Sequence, residues 1–462
     1  MADEPVEEKT ESSATADEAG AAVEETASVA ESESSPEATG GEESTATESA
    51  AEIADDDEGV IATGMEADAK APVDVRPAKT IKPDVRFVRE VMSAGGADLK
   101  KCYQCATCSV VCNVTPDDTP FPRKEMQWAQ WGLKDKLMGN PDIWLCHQCS
   151  DCVAQCPRGA KPGNVMQAIA KITINRFSKP GFLAKGVGNP AILLIMTAIP
   201  VIILALVIGI FGHYSPARGA IADGEVVKGT EIIYSNFISI HAVDATFTIA
   251  FIFAIVVFGI GVSGYWKLLS ETVRSAGAPL KGSGLSQLGS VLGEIMTHKR
   301  FGKCDETKDR KVSHLLIFYA FLGLFITTAL CVLGEYIVHQ HSPYGWMNPV
   351  PVKWVGSISA AAGLIGIGWI IVNRIKHAAR IGIGAYFDWL LISVVAMVIV
   401  TGAGSWGLRV ANIGALAYPI YFVHLSSVLF LFIYAPFSKM AHMVYRTTAM
   451  VFAKAAGRDT PM

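Results

Sequence analysis

The sequence predicts an all-α protein: a helical, cysteine-rich soluble domain followed by a bundle of six membrane-spanning helices. Three observations predict it. Apolar runs long enough to cross a bilayer recur six times after residue 190. Eight of the ten cysteines fall in two quartets ahead of those runs. Around the quartets, apolar residues recur at helical spacing and no strand alternation is found.

The first element, residues 1–78, reads as a disordered acidic tail. Residues 1–70 hold 22 of the 44 acidic residues, and Lys9 and Lys70 are their only lysines. Residues 1–75 contain no aromatic residue, too little apolar surface to offset chain entropy. The rest of the chain carries 37 basic against 22 acidic residues, so the mild overall acidity averages an acidic tail and a basic body.

Residues 79–186 form the expected soluble domain. KPDVRFVREVMSAGG reads as a helix ending at Gly95–Gly96. The segment FPRKEMQWAQWGLKDKLMGNPDIW fits helices closed by Gly139 and Pro141, and GNVMQAIAKITINRF fits another. The quartets are Cys102, Cys105, Cys108, Cys112 and Cys146, Cys149, Cys152, Cys156, both spaced C-x2-C-x2-C-x3-C. This is the two-cluster ferredoxin pattern, in which the fourth cysteine of each motif ligates the other cluster. The expected ligand sets are therefore Cys102, Cys105, Cys108 and Cys156 for cluster 1, and Cys146, Cys149, Cys152 and Cys112 for cluster 2, each a 4Fe–4S centre. Pro157 follows the second quartet, but Asn113 follows the first, a departure from the full signature. Zinc is the alternative metal. Cys304 and Cys331 are expected to be unligated.

Residues 187–450 hold the spans, at about 190–212, 237–262, 314–338, 353–373, 385–407 and 416–437, with residues 451–462 a C-terminal tail. Pro200 is expected to kink the first. The segments at 265–312, 374–384 and 438–462 carry nine, three and four Lys/Arg; those at 213–235, 339–352 and 408–415 carry two, zero and one. By the positive-inside rule, the cysteine domain and both termini face the cytoplasm of an inner membrane. The N-terminus lacks the basic and apolar regions of an export signal, which agrees.

Four histidines at span edges or at membrane depth are functional candidates. His424 and His442 stand 18 residues apart, five turns of one continuous helix, and would share a face ~27 Å apart. Each can offer an axial ligand to one of two stacked b haems. His314, at the inner start of the third span, pairs with His442. His241 is the expected outer partner of His424, with His339 as competitor. Asp244, one turn after His241, and Glu335 are candidates for accepting protons at a quinone site. The competing reading makes each an interfacial residue. His147 is expected to tune or pack; His213, His298, His341 and His377 read as loop or interfacial residues.

The stretches CYQCATCSVVCNVTPDDTPFPRKEMQWAQWGLKDKL and PDIWLCHQCSDCVAQCPRGAKPGNVMQAI resemble the membrane subunits of quinone-interacting membrane-bound oxidoreductases of sulfate reducers. Those subunits resemble a fusion of a heterodisulfide reductase iron–sulfur subunit and a haem b subunit. FVHLSSVLFLFIYAPFSKMAHMVYR also resembles the last helix of the gamma subunit of respiratory nitrate reductase, with His424 and His442 on its haem ligands. His314 falls on an earlier ligand; the second histidine that follows it there is Leu324 here. The resemblance implies menaquinol as electron donor and two b haems. It also implies flavin and iron–sulfur partner subunits, with adenylylsulfate reductase as final acceptor.

No flavin or nucleotide fingerprint appears in the chain, and no nucleic-acid partner is expected. Two alternatives stay open: a haem-free membrane-anchored ferredoxin, and a quinone-reducing subunit fed by a heterodisulfide or dithiol donor.

Overall fold

The computed structural model describes residues 82–212, 232–275, 282–305, 310–337, 350–382 and 384–458, with 221–222, 225–226, 277 and 280. The acidic tail, His213, His339 and His341 lie outside them.

The described chain is helical, as expected. The soluble part opens with α1 (Val85–Ser93), whose N-cap Asp84 accepts the Phe87 N–H and whose apolar face buries Phe87 and Val91. One-turn helices α2 (Thr107–Val110), α5 (Asp142–Leu145) and α6 (Asp151–Ala154) belong to the cysteine loops. Between the quartets lie α3 (Arg123–Gln130) and α4 (Lys134–Met138). Gly132, at φ +68°, lies where a Cβ would press into the Asp84 backbone. Proline at N1 starts α7 (Pro162–Phe177), the central helix, which buries Val165, Met166, Ile169 and Ile172. A short helix, α8 (Gly181–Val187), leads to the first span.

Among the described residues, six helices are long and apolar enough to cross a membrane. They are α9 (Leu193–Phe211), α10 (Ile240–Ser275), α12 (Arg310–Tyr336), α13 (Val350–Lys376), α15 (Tyr386–Val410) and α16 (Gly414–Tyr434). Pro200 sits inside α9, which continues on both sides of it. A two-residue ladder, Ile221–Ala222 with Glu225–Val226, is the β structure among the described residues. Further helices are α11 (Gly284–Thr297), α14 (Ala378–Ile381) and α17 (His442–Ala455).

Three expectations about these elements are corrected. The helix of the second span does not end near residue 262: α10 runs on to Ser275, because Tyr265 and Leu269 bury a further apolar face among the soluble helices. His424 and His442 do not share one helix. Pro436, with no N–H to continue the ladder, sits in the first of two 3-10 turns, and extended Ser438 between them separates α16 from α17. Residues 451–455 are not tail: Val451, Phe452, Ala453 and Ala455 are buried in α17.

Nor does the core divide near residue 186. One apolar cluster runs from Phe87 and α7 through Tyr265 of α10 and Phe430 of α16 to Phe452 of α17. Tyr445 stacks on Trp144 at 5.4 Å and meets Tyr265 edge-on at 5.7 Å. A Cβ on Gly261 would overlap the Tyr445 hydroxyl, so glycine there permits α10 and α17 to close. The cysteine region is thus bolted to the bundle by its own hydrophobic core.

Candidate redox centres

The two cysteine loops have the same backbone. In the first, Gln104 and Ala106 adopt positive φ of 62° and 68°; in the second, Gln148 and Ser150 stand at the matching places with 52° and 75°. Four non-glycine residues in this region carry a steric cost, which persists where the surroundings over-determine the turn. Here the turn wraps three thiols around one cavity. Ala106 and Ser150 then open α2 and α6, which carry Cys108 and Cys152 into mutual contact.

Two cavities result. One is lined by Cys102, Cys105, Cys108 and Cys156, the other by Cys112, Cys146, Cys149 and Cys152. Each thus collects three cysteines of one quartet and the last of the other. N–H groups point at the sulfurs: Gln148 N donates to Cys146 Sγ at 3.4 Å, and Ala160 N to Cys156 Sγ at 3.3 Å. Burial, then neighbouring cysteine charge, pushes the Cys108 thiol up to about 12; burial first does the same for Cys146. Burial raises Cys112 to about 11. Sulfurs so crowded ionise together only around a cationic metal core, so the donor set fits an iron–sulfur cluster in each cavity.

The two cavities differ in setting. At the first, Cys105 is exposed, as are Tyr103 (69%) and Val110 (81%). Arg158 covers the Tyr103 ring at 4.2 Å. The second faces the bundle. Arg446 of α17 donates to the Cys146 carbonyl at 3.1 Å and bonds His147 Nε2 at 2.6 Å. Burial, then Arg446, holds His147 well below the ordinary histidine range. Arg310 donates to the Gln148 carbonyl at 2.9 Å, and Lys439 to Gln148 Oε1 at 3.0 Å. Lys439 also pairs with buried Asp388, which takes Arg374 at 2.5 Å and Gln167 of α7. A buried charge cluster therefore ties the second cysteine loop to the ends of α12, α13 and α15.

The four histidine candidates are placed as follows. His442 Nδ1 lies 2.6 Å from the Lys439 carbonyl, and His424 Nδ1 lies 3.1 Å from the Val398 carbonyl. Both contacts engage Nδ1 and leave Nε2 as the nitrogen for an iron bond, the arrangement a ligating histidine needs. His314 and His442 lie within electrostatic range of each other. His298, expected to be interfacial, is instead 6% exposed and places Nε2 2.9 Å from His314 Nδ1. His314 and His442 would be the residues to hold a haem between them, and such a group would supply one-electron transfer. His241 is exposed, with Nδ1 3.1 Å from the Tyr336 hydroxyl, and that hydroxyl donates to Asp244 at 3.1 Å. Tyr421, one turn before His424, stacks on Tyr234 and lies in electrostatic range of Asp244. Glu335 belongs to α12, and its side chain lies outside the described residues, as does His339.

Sequence reasoning missed His298, Arg446 and Cys304. His298 and Cys304 lie in a polar connection and Arg446 in a basic segment, with no local pattern to mark them. Pro436 was the available sign that His442 begins a new helix.

Comparison with known proteins bears on both halves. A family of 4Fe–4S dicluster domains matches residues 98–160. An iron–sulfur C subunit of the Methanocaldococcus jannaschii CoB–CoM heterodisulfide reductase aligns over 145 residues at 30% identity, covering 30% of this chain and 68% of that protein. The chain belongs to the family of heterodisulfide reductase iron–sulfur C subunits. Its iron–sulfur region also matches the C subunit of the H(2):CoB-CoM heterodisulfide,ferredoxin reductase of Methanothermobacter marburgensis, 36% identical over 110 residues, 23% of this chain. There the chain spans 57% of the relative's length, little over half. The membrane half matches the family of citrate utilization protein B over residues 233–461. The Escherichia coli citrate utilization protein B is 24% identical over 383 residues, 76% of this chain and 89% of that protein. No solved structure matches. The chain thus joins an iron–sulfur region of the heterodisulfide reductase C-subunit family to helices long and apolar enough to cross a membrane.

Proposed function

We propose that the chain is the membrane subunit of a quinone-interacting oxidoreductase of the kind its motifs resemble in sulfate reducers. In this reading it oxidises menaquinol and passes electrons through two b haems and two 4Fe–4S clusters. Flavin and iron–sulfur partner subunits receive them, with adenylylsulfate reductase as the final acceptor. One observation carries the reading. The second cysteine cavity is bound to the same end of the bundle that holds His314 and His442, while the first opens to solvent.

The order follows from that placement. His424 serves the outer haem, with His241 as its proposed partner, and His314 and His442 serve the inner one. Asp244 and the hydroxyl of Tyr336 stand at the outer end as a hydrogen-bonded pair able to take a proton. Cys112, Cys146, Cys149 and Cys152 hold the membrane-proximal cluster. Cys102, Cys105, Cys108 and Cys156 hold the exit cluster, with Tyr103 and Val110 as part of the partner face. The excess of basic residues in the connections on the cluster side supports a cytoplasmic orientation.

A second reading reverses the flow: a dithiol donor, oxidised to its disulfide, feeds the clusters and the bundle reduces quinone. One experiment separates the two. The purified complex is mixed with a menaquinol analogue, and the b-type band is followed before the cluster signal. Haem reduction followed by cluster reduction is expected. Cluster reduction by a dithiol donor, with inert quinol, would select the second reading. No b-type band in iron-loaded protein would leave the haem-free ferredoxin.

A further inference from the structure

Cys304, which neither quartet uses, is 3% exposed and follows the 3-10 turn Lys299–Lys303 between α11 and α12. Its Sγ, the Sγ of Cys149 and a carboxylate oxygen of Asp151 all lie within 4.8 Å of one another. The two sulfurs are therefore close neighbours, with the Cys304 thiol buried beside that of Cys149. The segment around Cys304 is anchored to both loops of the second cavity. Asn113, next to Cys112, donates to the Lys303 carbonyl at 2.9 Å and to Asp305 at 3.2 Å. Asp305 N donates to Asp151 Oδ2 at 3.1 Å.

Comparing the two loops shows what this thiol supplies. In the first loop, Cys105 occupies the place that Cys149 occupies in the second. The Thr107 hydroxyl lies 3.4 Å from Cys105 Sγ and donates to it when the sulfur is a thiolate. The residue matching Thr107 is Asp151, and an ionised carboxylate only accepts. At the place of that hydroxyl the second loop thus carries a carboxylate, which accepts the Asp305 N–H. Cys304 comes from outside the loop, on the connection between two membrane helices, and brings an S–H to that place.

We propose that Cys304 is a positioning residue that donates its S–H to the Cys149 sulfur and thereby sets the reduction potential of the membrane-proximal cluster. The proposal rests on the assignment of that cluster to Cys112, Cys146, Cys149 and Cys152. A hydrogen bond to a ligand sulfur withdraws negative charge and favours the reduced cluster. The cluster gains one electron, and the thiol keeps its proton throughout.

The test is an EPR-monitored redox titration of the full-length chain, with dithionite as reductant, for wild type, Cys304→Ala and Cys304→Ser. In Cys304→Ala, iron and acid-labile sulfide should match wild type. The reduced-to-oxidised ratio of one cluster at fixed potential should fall about tenfold, a shift of ~59 mV for one electron. The second cluster should not move. Cys304→Ser retains a donor and should return most of the shift. Unchanged potentials in an intact Cys304→Ala protein would overturn the proposal. Loss of one cluster's iron in Cys304→Ala, restored by Cys304→Ser, would also overturn it, by making Cys304 a ligand. A wild-type chain without cluster signals would remove the cluster assignment itself, and the proposal with it.

Discussion

His298 Nε2 lies 2.9 Å from His314 Nδ1. His298 caps α11 in a left-handed conformation, φ 48°, which turns its ring toward α12. Phe301 packs at 5.1 Å from the His314 ring and 4.8 Å from that of His147, between the bundle and the second cysteine loop. If His314 binds iron through Nε2, His298 is the partner that fixes its tautomer. Loss of such a partner costs a metal site about 10–100-fold in affinity. His298→Ala should lower the haem content of the purified chain, measured as the pyridine haemochrome, and leave the iron–sulfur content intact. Full haem retention would remove His298 from this role.

At the outer site, helix approach sets the ring. A Cβ on Gly402 would lie 2.9 Å from His424 Cε1. Gly402→Ala should push the imidazole off its Val398 and Thr401 contacts and lose or broaden one of two b-type bands. Spectra matching wild type at low temperature would show that His424 carries no haem.

The crossed cavities give a cysteine prediction. Cys156→Ala should remove the cluster of the first cavity and Cys112→Ala that of the second, although each residue belongs to the other quartet. Because Cys108 and Cys152 pack together, either loss should also lower the melting temperature of the whole soluble region. Iron analysis with EPR checks the pattern. Cluster loss following quartet membership would reject crossed ligation.

Glu125 gives a pH dependence. It is fully buried and accepts from Asn140 at 2.7 Å; burial, then the charge of Asp142, pushes its carboxyl up to about 8. Asp142 meanwhile pairs with Lys124 at 2.7 Å and Arg458 at 2.8 Å. The folded state holds the proton more tightly than the unfolded chain. Its stabilising contribution is therefore complete below the ordinary value of 4.5 and is lost as pH rises toward and through 8. Glu125→Gln keeps a neutral acceptor. It should stabilise the protein at pH 9 by on the order of 2 kcal/mol relative to wild type, with little gain at pH 5. Thermal unfolding at the two pH values measures the difference.

Much of this architecture was legible because its signals are local. A span is a run of neighbouring apolar residues, and Leu193 to Phe211 declares itself without any partner. The cysteine spacing likewise prescribes a loop, and the matching left-handed residues of the two loops are its backbone expression. The end of α16 was half legible: Pro436 marks a break, but where His442 then points depends on Lys439 and Ser438.

The sequence by itself determined the helical class, the six apolar spans and the cysteine pattern of two clusters, because each is a property of contiguous residues. Only the tertiary structure decided that α17 packs on the cysteine domain, that Arg446 reaches His147, that His298 supports His314, and that Cys304 stands beside Cys149. Those pairings join residues far apart in the chain, and they form only when the shared core from Phe87 to Phe452 closes around them. Hydrophobic burial is non-directional, so it fixes that a core forms without naming the polar neighbours it brings together.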